Sequence, residues 1–167
     1  MCLRVCWTVC AAKADIGFIV DQSTSIVLAP GGNDNWNSIL NFVQQVIQSF
    51  SISPTLTRVG MVRFSTNASF EFGFTSYSDA PSLILNVSSL QIRGGQTNYA
   101  DAFRSANTNL WPNRRTDVKT ICIFITDGNA NEETDKTFIE VNKTKELGIE
   151  VYAIGVTNQV NLPNIHI

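Results

Sequence analysis

Two short stretches of uninterrupted apolar sequence, each closed by an aspartate, constrain this chain more than anything else in it. Ile16-Gly17-Phe18-Ile19-Val20 runs into Asp21, and Ile121-Cys122-Ile123-Phe124-Ile125 runs through Thr126 into Asp127. Runs of this length without polar alternation are the mark of strands covered on both faces, which occur in parallel sheets flanked by helices. The segments between them supply those helices. After the loop Pro30–Gly32, Asp34 or Asn35 is expected to cap a helix in which Trp36, Ile39, Leu40, Val43, Val46, Ile47 and Phe50 share a face, with Ser53-Pro54 closing it. Arg58 to Phe64 reads as a second strand. Ser69 to Phe74 reads as a third, antiparallel at an edge and reached through the turn Ser65-Thr66-Asn67. Ser82 to Ser89 and Tyr99 to Leu110 read as helices, with the glycine pair Gly94-Gly95 as a sharp loop between them. Lys119 to Thr126, the most apolar strand, is expected at the centre of the sheet. Glu132 to Leu147 is a helix closed by Gly148, and Glu150 to Gly155 is a fifth strand. The fold class that follows is α/β: a doubly wound, mostly parallel open sheet with helices on both faces and one antiparallel edge strand.

In such sheets ligands gather beyond the carboxyl ends of the strands. Three polar pieces fall there. Asp21-Gln22-Ser23-Thr24-Ser25 follows the first strand, Gly95-Gln96-Thr97-Asn98 follows the glycine loop, and Asp127-Gly128 follows the apolar strand. Taken at alternate positions, the first offers Asp21, Ser23 and Ser25; with Thr97 and Asp127 that makes two carboxylates and three hydroxyls. An oxygen-only set suits a hard divalent cation, Mg²⁺ or Mn²⁺. The hydroxyls are neutral, so if one carboxylate or none touches the ion directly, the bound ion keeps positive charge and attracts an external anionic oxygen. The composition therefore favours recognition of an acidic group over storage of metal.

The remaining composition excludes more than it assigns. In 167 residues, 14 acids against 12 bases leave a net charge of −2 with no basic block, so nucleic acid is not an expected partner. The longest apolar runs fall far short of the ~20 residues of a membrane-spanning helix. The single histidine, His166, leaves no histidine triad or multi-histidine zinc site. Three sequons, at Asn67, Asn86 and Asn142, lean towards a secreted chain. Cys122 reads as a buried hydrophobe. Cys2, Cys6 and Cys10 crowd the start, and their spacing is not a common zinc pattern. Met1 to Ala14 reads either as a short signal peptide, with Ala12-Lys13-Ala14 as its cleavage pattern, or as the start of a fragment.

The blocks Ala14 to Ile26, Arg58 to Ser65, Gly94 to Asn98, Ile123 to Gly128 and Lys145 to Val156, taken in order, resemble von Willebrand factor type A domains. The likeness is greatest to those of extracellular matrix proteins such as matrilins and type VI collagens, and more distant to integrin I domains. It implies that Asp21, Ser23, Ser25, Thr97 and Asp127 form a metal-ion-dependent adhesion site, with a partner's Glu or Asp completing the metal shell. It also implies a non-enzymatic, secreted matrix or cell-surface binding module with a matrix protein as partner. The rival readings are an intracellular scaffold module and a metal-assisted hydrolase. Gln22 and Thr24 stand where the family often has glycine and are expected to stiffen or crowd the loop. No inserted helix of the collagen-binding integrin kind is visible. On this reading residues 1–13 are a cysteine-rich or signal segment, and residues 14–167 are an A domain lacking its last strand and helix. The missing elements are then expected to leave part of the sheet uncovered.

Overall fold

The computed structural model describes residues 9–128 and 130–156. Among these residues five strands form one sheet: β1 (Ala14–Asp21), β2 (Thr57–Phe64), β3 (Ala68–Phe72), β4 (Lys119–Thr126) and β5 (Glu150–Gly155). Their spatial order is β3-β2-β1-β4-β5. All neighbours are parallel except β3, which runs antiparallel to β2 at one edge. The expected architecture is thus present, with one correction. The middle strand is β1, not the Lys119–Thr126 strand. Every residue of β1 is buried, whereas Lys119, Ile121 and Ile123 of β4 are partly or fully open. The more apolar run is not the middle one: β1 takes that place because β2 and β4 pair along its two sides, and its residues enter the cores on both faces of the sheet.

One face carries α1 (Thr24–Leu28), α2 (Asn33–Gln48) and α3 (Ala80–Ser88), packed through Ile26, Trp36, Val43, Ile47, Leu83 and Val87 onto Phe18, Val20 and Met61. The other carries α4 (Tyr99–Ser105) and α5 (Thr134–Glu146), with a π-helical turn, Ala106–Leu110, continuing α4. On this face the sheet is flattened by Gly17 and Gly60. A methyl group at 17 would run into the Trp111 ring, and one at 60 into Leu110. These two large side chains seat directly on backbone and are fully buried.

Several local expectations need adjusting. The helix α2 begins earlier than the expected Asp34 or Asn35 cap: Gly32, at φ 55°, precedes it, and Asn35 instead donates its amide to the Ile26 carbonyl at 2.8 Å. That bond ties α2 to α1, a five-residue helix too short to show periodicity in the sequence. The third strand covers Ala68–Phe72, not Ser69 to Phe74. Gly148, at φ 76°, closes α5 as expected, while the residue before α5, Glu133, takes a left-handed φ of 43°. Cys122 is buried as expected. Cys10 is exposed, and its backbone pairs with Ser49 and Ser51. Cys2, Cys6, His166, most of the expected signal segment and the tail expected to lack the last strand and helix lie outside the described residues.

Candidate metal centre

Adjacent parallel strands deliver the two carboxylates. β1 ends on Asp21, and β4 ends on Thr126 with Asp127 next; Val20 pairs with Ile125, so the two aspartates emerge side by side at the carboxyl edge. Asp21 is held by two donors: the Ser23 amide to Oδ1 at 2.8 Å, and the Thr126 hydroxyl to Oδ2 at 2.8 Å. Thr126 is steadied in turn by Tyr99, whose Oη lies 2.9 Å from Thr126 Oγ1 and donates to the Gly128 carbonyl. The short helix α1 turns both serines back over this edge. Ser23 Oγ and Ser25 Oγ are 2.8 Å apart, and Ser25 Oγ donates to Asp127 Oδ1 at 2.9 Å. Asp21, Ser23, Ser25 and Asp127 therefore form one contiguous patch of oxygen.

Thr97 comes from the loop between α3 and α4. That loop is fastened on both sides: the Gln96 amide donates to Thr66 Oγ1, the Asn98 amide to the Ser65 carbonyl, and the Thr97 amide to Asn131 Oδ1 at 2.8 Å. Gly94 and Gly95, at φ 73° and 113°, make the turn that brings it in. Thr97 and Ser25 line the same hollow, with Thr24, Leu28, Thr66, Gln96 and Asn131 around it. All five residues expected from the sequence thus reach one edge of the sheet, four of them in direct succession and Thr97 across the hollow.

Burial sets the electrostatics. It pushes Asp21 up to about 6, with the Asp127 charge adding to the effect and the Ser23 and Thr126 hydrogen bonds working against it. Burial also raises Asp127 above the ordinary carboxylate range, against the Ser25 hydrogen bond. Two carboxylates that water solvates poorly, beside hydroxyl oxygens, can be neutralised by a cation that accepts oxygen ligands. Among the described residues no three His, Cys, Asp or Glu side chains are placed to hold a metal ion together, so any cation at this edge would need the hydroxyl oxygens as well.

The sequence reading missed the residues that hold this patch. In the sequence Tyr99 is only the first residue of a helix, and nothing beside it points to a role for its hydroxyl. Thr126 sat unremarked beside Asp127. Arg63 was the one signal available: a charge inside a strand buried on both sides must have partners.

With the geometry in view, a family model for the von Willebrand factor type A domain matches residues 15–166. The chain belongs to this family. Human vitrin is 31% identical over 151 residues, covering 90% of this chain and 21% of vitrin. The transmembrane cell adhesion receptor mua-3 of Caenorhabditis elegans is 31% identical over 166 residues, covering 94% of this chain and 4% of the receptor. Among solved structures, proximal thread matrix protein 1 from the mussel byssus, with a zinc-occupied MIDAS motif, superposes with a TM-score of 0.84 at 26% identity, over 93% of this chain and 39% of that one. The chain thus spans well under half the length of these relatives. Its type A domain has no helix, among the described residues, long and apolar enough to cross a membrane.

Proposed function

We propose that this type A domain is a non-enzymatic, metal-dependent protein-binding module of the extracellular matrix or cell surface. Asp21, Ser23, Ser25, Thr97 and Asp127 hold a divalent cation, Mg²⁺ or Mn²⁺, and a Glu or Asp carboxylate of a protein partner completes its shell. The observation that carries this is the row Ser23, Ser25, Asp127, linked oxygen to oxygen at 2.8 and 2.9 Å beside the buried Asp21. The mussel matrix protein, similar over nearly the whole of this chain, has zinc at its MIDAS motif, which supports a cation here. The choice of Mg²⁺ or Mn²⁺ over zinc rests on the donor chemistry: carboxylate and hydroxyl oxygens suit harder ions than imidazole or thiolate do. A bound cation also removes the cost of ionising Asp21 and Asp127, and with no more than one of the two aspartates in direct contact and neutral hydroxyls in the other positions it stays electrophilic towards an external carboxylate. Secretion agrees with the sequons at Asn67, Asn86 and Asn142.

Calorimetric titration with Mn²⁺ tests the site. Asp127→Ala and Ser23→Ala are expected to weaken binding about tenfold or more while leaving the metal-free far-UV spectrum and cooperative melt in place, since both groups sit at the rim of the sheet. Binding of the wild-type protein to a matrix extract is expected to vanish in EDTA and to withstand moderate salt. Identical Mn²⁺ isotherms for all three proteins, or matrix binding indifferent to EDTA, would show that the domain works through another face.

A further inference from the structure

Beneath the oxygen patch lies a buried cation that the proposed site does not use. Arg63, on β2, is 2% exposed. Its guanidinium reaches three separate pieces of the molecule. Nη1 donates to Gln22 Oε1 at 2.9 Å and to the Gln91 carbonyl at 2.7 Å; Nη2 donates to Glu71 Oε1 at 2.9 Å. Glu71 stands on the edge strand β3 and is held in place by the Ser69 hydroxyl at 2.7 Å. Gln22, itself 2% exposed, lies between Asp21 and Ser23. Gln91 opens the loop that ends in Thr97. One side chain therefore grips both loops of the oxygen patch and anchors them to the sheet edge.

The backbone completes the clasp. The Gly94 amide donates to the Gln22 carbonyl at 3.0 Å, the Thr24 amide to the Gly95 carbonyl at 3.0 Å, and the Gly95 amide to Thr24 Oγ1 at 2.8 Å. Thus Gln22 and Thr24, the two residues that alternate with Asp21, Ser23 and Ser25, fasten the loop. The arrangement is not one that stability alone selects. Arg63 Nε is buried without a hydrogen-bond partner, and an aliphatic side chain fills the interior of such a strand at lower cost than an ion pair. What the guanidinium adds is direction: its rigid planar fork fixes the three acceptors in set positions, whereas the three donors of a lysine sit on a compact ammonium that turns freely.

We propose that Arg63, acting through Gln22 and braced by Glu71, is a positioning residue that holds the Asp21–Ser25 and Gln91–Thr97 loops in register before the cation arrives. The proposal rests on the metal-binding reading above. It accounts for the departure at Gln22 and Thr24: the side chains expected to stiffen or crowd this loop are the ones that lock it.

The test uses Gln22→Met, which keeps the length of the side chain but removes the acceptor, together with Arg63→Lys and the double variant. In EDTA, amide hydrogen exchange at Thr24, Gly94 and Gly95 is expected to quicken about tenfold in each single variant while Ile19, in the middle of the sheet, keeps its wild-type rate. In the same proteins Mn²⁺ affinity is expected to fall about tenfold, as for groups that orient metal ligands. The double variant is expected to fall no further than the weaker single variant, because the two residues act as one relay. If exchange quickens equally at Ile19, Arg63 is merely structural and the proposal is overturned. Losses that multiply in the double variant overturn it as well, as does wild-type Mn²⁺ affinity in Gln22→Met. Wild-type protein that takes up no Mn²⁺ overturns the metal reading and this proposal with it, an outcome distinct from a Gln22→Met variant that binds as well as wild type.

Discussion

Asp21→Asn is expected to make the metal-free protein more stable, although it removes a residue proposed to bind the cation. Burial pushes Asp21 up to about 6 from an ordinary 3.8. By proton linkage, that difference amounts to about 3 kcal/mol against the folded state once the carboxylate is ionised. The sign follows from the direction. A folded pKa above the unfolded one means that the folded state holds the proton more tightly between about 3.8 and about 6. The wild-type advantage of a protonated Asp21 is complete below about 3.8 and is lost as pH rises through about 6. Asparagine carries no such ionisation. Its carbonyl still accepts from the Ser23 amide, and the Thr126 hydroxyl can turn to accept from the new amide while donating to Tyr99. We expect a gain of about 1–3 kcal/mol at pH 7.5, or roughly 2–4 °C of melting temperature per kcal/mol for a domain of this size. The measurement is urea unfolding of both proteins in EDTA at pH 4.0 and 7.5, comparing midpoints at constant slope. The gain is expected at pH 7.5 and should be nearly absent at pH 4.0. Saturating Mn²⁺ is expected to reverse the order, because only the wild type gains the binding free energy. A variant that is less stable by the same amount at both pH values in EDTA would refute the reasoning.

At the opposite end of β1, Asp15 accepts from Arg58 at 2.9 and 2.5 Å and from Arg115 at 2.6 to 3.1 Å. Burial alone would raise its pKa, but the hydrogen bonds from both arginines outweigh it and hold the group below the ordinary range. Asp15→Asn is therefore expected to cost about 3–5 kcal/mol at pH 7.5, read from the urea midpoint. The penalty should shrink as pH falls below the ordinary 3.8 and through the folded value, where wild-type Asp15 takes up its proton. Among the sequons, Asn67 is exposed in the turn before β3, Asn86 has its side-chain oxygen buried, and Thr144 of the third sequon is fully buried with its hydroxyl donating to Asn107. Peptide mapping after expression in a secretory host is expected to find Asn67 most occupied and Asn142 least; a bare Asn67 with a full Asn142 would contradict the ranking.

What could be read from the sequence was what a single local pattern determines. An apolar run closed by aspartate was enough for β1 and β4, and a polar-apolar period ending on Gly148 was enough for α5. The five oxygen-bearing residues could be picked out because each follows a strand or a glycine turn. What escaped depends on contacts between distant segments. Helix α1 is five residues long and is held by Asn35 from the next helix, so no periodicity marks it. Which apolar strand is the middle one depends on where the crossovers place the helices, not on the composition of the strand. Gln22 was visible as a departure from glycine, but its role requires Arg63, 41 residues away, and nothing in either neighbourhood names the other.

The order of the strands has a mechanical consequence. The described chain enters the sheet at Ala14, at the start of the middle strand, and leaves it at Gly155, at the far end of the edge strand β5. Because β1, β4 and β5 are parallel, these points lie at opposite ends of the strands, and tension drawn between them acts along the hydrogen-bonded ladders. Seven residue pairs between β1 and β4, and six between β4 and β5, are then loaded together in shear instead of being peeled one at a time. The oxygen patch lies at the carboxyl end of the same β1–β4 seam. A pull strong enough to slide that seam by one residue would move Asp21 away from Thr126 and Asp127, so the domain's resistance to force and the geometry of its candidate metal centre depend on the same line of bonds.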